Sequence, residues 1–446
     1  MRETRFSAGS IRAAFSGTVV LAVCGAILAG CGGVSNPFGE RDIILPGERK
    51  AVVLTSADDD NAGSESLAVS VPGPVANANW AEPGGFATNS TGHLAYSGGG
   101  NRAWRTSVAS VGRKGRPPSA GPIVYEGRIY ILDSQARVSA LNASSGGRAW
   151  QASLKPEKEG RHGATGGGVA AENGVIYAAT GFGTVAALNA GSGQVIWQKN
   201  LEAPAHSAPT VKDGTLFVVT SDNVVYGIKA ADGTEMWTYR GIPETAGFLS
   251  SAAPAVANGK VVVPFTSGEV MAYDATSGDA LWVDALTRAS RTSAVSSLND
   301  ISAKPVISDG VVYAVSVSGR MIAVSLSDGE RLWTRNVASA YTPVVAGDGI
   351  FVVTLDGTMA AYSRSDGSHR WSTPLPKEKR EAWAGPVLAG GSLWAVSTRG
   401  RLVAVTPQNG TLTVTRDIGD SMSQSPIVAG GRMYVLSNRG NLIALN

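Results

Sequence analysis

Four histidines and two cysteines are the side chains best suited to metal or nucleophilic chemistry, and their placement argues against both. His93, His162, His206 and His369 stand apart from one another. No pair has the spacing that sets two imidazoles on one ion, and no His-Glu-x-x-His occurs. Cys24 and Cys31 both lie near the start, so the body of the chain has neither a disulfide nor a thiol nucleophile. Asp213, Asp232, Asp309, Asp328, Asp356 and Asp366 each precede a glycine. A turn role explains them, and paired-carboxylate catalysis gains no support. Gly166-Gly167-Gly168 and Gly181-Phe182-Gly183 open no helix that could hold a phosphate, and no Gly-x-Ser-x-Gly elbow is present. The expectation is a non-enzyme with no catalytic residue, no metal and no cofactor.

Cys31 has a different chemistry. Three arginines in residues 1–12 precede an apolar run from Ala13 to Leu28, the pattern of a secretory signal. The run is too short and too interrupted by glycine for a transmembrane helix. Leu28-Ala29-Gly30-Cys31 resembles the bacterial lipobox. That resemblance implies removal of residues 1–30 and lipidation of Cys31. Gly32 follows in place of an aspartate, which under the usual sorting rule implies the outer membrane. Acyl chains contribute roughly 0.8 kcal/mol per buried methylene, so a multiply acylated cysteine is a stable anchor. Residues 31–76 are rich in Pro, Gly, Ser and Asp and read as a flexible tether reaching roughly 35–40 Å.

These residues need a body to carry them. The chain has 446 residues, 56 of them glycine, with 43% hydrophobic and 16% charged residues. That is enough apolar material for a sizeable core, which excludes a disordered protein. A net charge of +3 with interspersed signs leaves no electrostatic footprint for nucleic acid. Glycine mixed with Val, Ala and Thr favours short strands and tight turns.

A repeat sets the architecture. Each unit runs from a proline through a short apolar strand, an Xaa-Gly turn, a strand with Tyr or Phe, a second turn, a strand ending in a sequence such as Ala-Leu-Asn, a glycine turn and a tryptophan. Units start at Pro122, Val169, Pro209, Pro254, Pro305, Pro343, Pro386 and Pro426. The first turns fall at Glu126-Gly127, Asn173-Gly174, Asp213-Gly214, Asn258-Gly259, Asp309-Gly310, Asp348-Gly349, Gly390-Gly391 and Gly430-Gly431. Trp104, Trp150, Trp197, Trp237, Trp282, Trp333 and Trp371 occupy one slot in successive units, and Val414 fills an eighth. Periodic tryptophans are expected to pack neighbouring units together rather than form a binding cage.

The two series are out of phase. Trp104 has no complete unit before it, and the unit from Pro426 has no slot after it. A closed ring resolves this, with the strand around Trp104 completing the last unit. The expected fold is all-β, an eight-bladed β-propeller of four-stranded antiparallel blades. Residues 77–100 then form a leader and 101–446 the propeller.

Two inter-blade connections are long. One spans 241–251 and carries Phe248 and Leu249; the other spans 284–304 and carries Leu298, Asn299 and Asp300. Long loops on a rigid scaffold are where binding residues concentrate. Both join consecutive blades at equivalent positions, so both should lie on one face.

The repeat resembles that of pyrroloquinoline quinone (PQQ) dehydrogenases. With the lipobox, the size and eight repeats, the chain resembles the BamB family of outer-membrane β-barrel assembly lipoproteins. Pro83-Gly84-Gly85 through Gly92-His93-Leu94, with Arg102-Ala103-Trp104-Arg105, is similar to its alphaproteobacterial branch. The resemblance implies a non-catalytic scaffold on the periplasmic face of the outer membrane. It implies binding to the POTRA domains of BamA and to nascent outer-membrane proteins, as a monomer within a complex. In that family an apolar and basic loop and the following acidic loop contact BamA. Phe248 and Leu249 match the first by register and Asp300 the second. Leu249 stands where an arginine is expected, and Ser302 stands at a second acidic position. The alternatives are a PQQ-dependent quinoprotein, or another envelope propeller that binds a protein or a polysaccharide.

Overall fold

A computed structural model describes residues 68–109, 119–159, 163–241, 252–286 and 301–446. Among the described residues every regular element is a strand, and the strands form eight four-stranded antiparallel sheets. Blades 1 to 7 occupy 123–153, 167–200, 210–240, 255–285, 306–335, 344–374 and 383–417 in chain order. Blade 8 takes three strands from 427–445, and its outer strand is Arg102–Ser107. The eight-bladed propeller closed by its N-terminal strand is the fold expected from sequence.

The closing junction is hydrogen-bonded from both sides. Asn101 N–H donates to Asn446 O and Asn446 N–H donates to Asn101 O, each at 2.7 Å. Trp104 pairs with Ala444, and Arg105 reaches Asp420 at 2.8 Å. This mutual pairing leaves no open blade edge at the junction.

The slot tryptophans share one local geometry. In every blade the outer strand skips one residue immediately before the slot, a β-bulge. The slot residue then lies opposite Ala140, Ala187, Gly227, Ala272, Ala323, Ala361, Ala404 or Ala444. The small cross-strand partner leaves room for an indole ring. Each ring also lies against a glycine in the next blade's last turn: Gly146, Gly193, Gly233, Gly278, Gly329, Gly367 and Gly410 in order from Trp104. Six of the seven indoles donate to a carbonyl of that same turn region, from Trp150 to Ala190 O at 2.9 Å through Trp371 to Pro407 O at 2.9 Å. Trp104 Nε1 finds no acceptor among the described residues.

Val414 is the exception for a geometric reason. The blade that follows it is blade 8, where the last turn is replaced by the meeting of Asn101 and Asn446. The glycine there, Gly100, lies against Leu402 and Trp394 rather than against the slot residue. Trp394, outside the slots, packs edge-on against Tyr96 nearby, at 5.6 Å between ring centres.

Gly193 tests the blade contact. Its φ is +75°, and a Cβ there would meet the Trp150 ring at 2.5 Å. Gly193→Val is expected to cost about 2–3 kcal/mol, from the left-handed backbone and the displaced indole together. Urea denaturation of the two chains checks this. Gly174→Ala provides the comparison, since its added Cβ meets nothing within 4 Å and only the backbone term remains.

One turn departs from the sequence expectation. In blade 6 the first turn is Gly347-Asp348 rather than Asp348-Gly349, because Ala346 pairs with Gly349. Gly347 takes the positive φ, +60°. Its Cα lies so close to Ser70 O that a Cβ would sit 2.0 Å away. The approach of the leader therefore selects glycine at this position.

Candidate functional site

The first strand of each blade is the inner edge of its sheet and carries backbone groups that its neighbour does not pair. Residues 68–100 supply partners for these groups in seven of the eight blades, including Val428 O through Asn77 Nδ2, and reach the first turn of blade 6. Asn77 O accepts from Gly430 N in blade 8, and Trp80 exchanges two bonds with Val124 in blade 1. Ala81 O then accepts from Ala171 N in blade 2, and Glu82 Oε1 from Val211 N in blade 3. Ala87 O and Thr88 O accept from Val256 N and Ile307 N in blades 4 and 5. Leu94 N–H donates to Leu388 O in blade 7, and Ser70 N–H to Asp348 Oδ1 in blade 6. The leader thus circles the axis and ties the blades together. Asn89 Nδ2 adds bonds to Pro254 O at 3.2 Å and Pro305 O at 3.0 Å.

Residues 68–76, assigned to the tether by composition, belong to this docked segment. Val69 is buried in the cluster around Phe351. His93 joins two stretches of leader to blade 7. Gly391 N–H donates to Nε2 at 2.8 Å, which leaves Nδ1–H to donate to Pro72 O at 2.6 Å. His93 is thus a structural link.

Glu82 is the leader's one buried carboxyl, with 3% of its surface exposed. Burial pushes its pKa well above the ordinary range, against the lowering effect of the Val211 N–H. Oε2 has no partner among the described residues. The folded state therefore holds this proton to higher pH than the unfolded chain does. Stability should fall as pH rises above about 4.3, the ordinary glutamate value, through the raised one. Glu82→Gln lacks that dependence. Its urea midpoint should match the parent in acid and exceed it increasingly toward neutral pH, and parallel curves would show that Glu82 is not the source.

The leader floors a cavity of about 290 Å³ on the axis. Trp80, Pro83, Gly84, Asn89 and Thr91 belong to the leader. The walls come from Ser119 and Gly121, Ser302 and Lys304, Ala340–Val344, Pro386 and Val387, and Ser423–Ile427. Most of these wall residues precede a blade's first strand. In a four-stranded meander the inter-blade connections leave from one face and the first and third turns from the other. The walls therefore belong to the face that carries the long inter-blade connections.

Those connections bear the residues expected to bind a partner. Phe248, Leu249, Leu298, Asn299 and Asp300 lie outside the described residues, as do Cys31, Leu28, Ala29 and Gly30. Their anchor points are described. Gly241 and Ala252 bound the first loop, and the buried Leu286 and Ile301 bound the second. At the other end of the outer strands, next to the third turns, the bulges expose apolar side chains that sequence reasoning missed: Ile196, Met236, Leu281 and Leu332 in blades 2 to 5. The signal was present as a large apolar residue directly before Trp197, Trp237, Trp282 and Trp333. Among the described residues no group of three or more His, Cys, Asp or Glu side chains could hold a metal ion.

Comparison with known proteins decides the family. The model of the family described as "Outer membrane protein assembly factor BamB" matches residues 90–158, 134–373 and 375–446. The chain belongs to the BamB family. BamB of Yersinia pestis is 29% identical over 242 residues, covering 53% of this chain and 61% of that protein. BamB of Vibrio cholerae is 33% identical over 213 residues, covering 48% and 54%. The matches thus span little more than half the length of these curated relatives. Among solved structures, BamB from Moraxella catarrhalis aligns over 77% of this chain and 98% of its own, with a TM-score of 0.66 and 19% identity. A europium-containing methanol dehydrogenase aligns over 81% and 89%, with a TM-score of 0.63 and 14% identity. Likeness at these identities is a likeness of fold, and many chemistries share a propeller.

Proposed function

We propose that this BamB-family chain is a non-catalytic scaffold lipoprotein of the outer-membrane β-barrel assembly complex. It is anchored through Cys31 on the periplasmic face. It holds the POTRA domains of a BamA partner with loops 242–251 and 287–300, and it assists folding and insertion of nascent outer-membrane proteins. The observation that carries the reading is the family match across nearly the whole propeller. The geometry is compatible with it: the described ends of both loops lie on one face, between consecutive blades. Apolar anchors rimmed by charge are what a modest protein interface uses.

The domain plan that goes with this reading has a signal at 1–30, a tether from Cys31, a docked leader and the ring. Deletion of the gene should lower the amounts of β-barrel proteins in the outer membrane, and the full chain should restore them. A Cys31→Ala chain should move from the membrane to the soluble fraction and restore them poorly. Unchanged barrel levels after deletion would contradict the assembly role.

A further inference from the structure

The axial cavity has an electrostatic feature that a purely mechanical ring does not require. Lys304 lines it, and among the described residues no other charged side chain does. Among the described residues no carboxylate forms an ion pair with Lys304. Lys304 is half-buried on the cavity wall, and burial alone brings its ammonium down to about 8. A desolvated cation without a counter-charge is unfavourable.

Several groups on the lining are donors, beside one unpaired acceptor, Asn89 Oδ1. Thr342 Oγ1 already accepts from Lys304 N at 3.2 Å, and Ser119 Oγ accepts from Gly166 N at 2.7 Å. Each hydroxyl therefore has its proton left to give. Ser302 and Ser425 add two further hydroxyls to the wall. Trp80, on the floor, carries a buried Nε1–H that finds no acceptor among the described residues. One cation, several O–H donors and no carboxylate make a site selective for negative charge.

We propose that the axial cavity binds a small soluble oxyanion, a molecule bearing carboxylate or phosphate groups, with Lys304 as its counter-ion and the Thr342 and Ser119 hydroxyls as donors. The volume suits a ligand of citrate size, at the lower end of small-molecule pockets. The ligand would join wall segments from blades 1, 5, 6 and 8 to the leader. Lys304 follows residue 300, the last of loop 287–300, by four positions in the chain. None of this depends on the identity of a protein partner.

Titration calorimetry of the full-length mature chain with citrate and, separately, inorganic phosphate tests the site. Saturable one-to-one binding is expected for at least one probe, and the stronger of the two identifies the group recognised. Lys304→Met should weaken it by about tenfold or more, the effect of losing one charge-assisted contact. Lys377→Met, at an exposed lysine away from the cavity, should leave it unchanged. Citrate keeps its charge between about pH 7 and pH 9.5, so in that window its affinity for the unmodified chain reports on the lysine. Tyr341, the other titratable group on the wall, is held neutral there because burial raises its phenol. Affinity should therefore fall as pH rises past the lysine's value, with proton uptake on binding near pH 8. No saturable binding up to about 10 mM of either probe overturns the proposal, since a site weaker than that has no selectivity. Equal affinity in a folded Lys304→Met chain, or a flat pH profile in the unmodified chain, overturns it as well.

Discussion

A chain that begins at Val108 is expected to lack a stable ring, whereas one that begins at Gly98 should still close. The difference between them is the strand Arg102–Ser107, which completes blade 8. Its loss exposes the edge of Asn441–Leu445 and removes Trp104 from the glycine turn of blade 1. Removing a packed indole alone costs about 3–5 kcal/mol. Loss of Arg105 leaves the buried Asp420 without its cation, a smaller effect of about 1 kcal/mol because Arg105 is itself well exposed. Against a total stability of about 5–15 kcal/mol, these losses and the broken strand pairing threaten the fold as a whole. Urea denaturation and size-exclusion chromatography of the two truncations decide the matter. Addition of a peptide spanning 98–109 should restore the shorter chain. Equal urea midpoints for both truncations would mean that the ring does not depend on this strand.

The second large effect is expected from the leader itself. A chain beginning at Gly98 keeps the closing strand but loses the segment bonded to the inner strand of seven blades and to the first turn of blade 6. Trp80, Leu94 and Tyr96 are buried by that docking, and Leu94 pairs along blade 7. Loss of a buried tryptophan sets a floor of about 3 kcal/mol, so the truncation should be destabilised by more than that relative to the mature chain. The consequence is wider than one blade, because inner backbone groups of seven blades and the first turn of blade 6 lose a partner. Hydrogen exchange should show this as faster exchange at Val211, Val256 and Ile307 N–H together. Exchange confined to blades 7 and 8 would show that the leader is a local patch.

Much of the ring was legible because its determinants repeat. A tryptophan every 38 to 51 residues, a small residue opposite it and an Xaa-Gly turn before it are all visible in one dimension. The phase mismatch at Trp104 even identified which strand closes the circle. The leader was not legible in the same way. Its contacts run through backbone groups, from Asn77 to Ala87, to strands scattered from Val124 to Gly430. Its proline- and glycine-rich composition therefore reads as a tether as far as residue 76. Lys304 was missed for a related reason: its neighbours Ser119, Thr342 and Ser425 are distant in sequence and meet only when the ring closes. The blade 6 turn was misplaced by one residue because the choice between Gly347 and Gly349 rests on Ser70, which no local pattern reveals.

The scaffold reading makes its sharpest claim about two loops on one face. Photo-crosslinkers placed at Phe248 and Asp300, in cells that make the full lipidated chain, address that claim directly. The predicted result is a dominant adduct at both positions with a BamA protein, mapped to its POTRA domains. A crosslinker at Lys377, distant from both loops in sequence, should give no such adduct. Recovery of an unrelated dominant partner from both loops, together with normal levels of outer-membrane barrels when the chain is absent, would contradict the account.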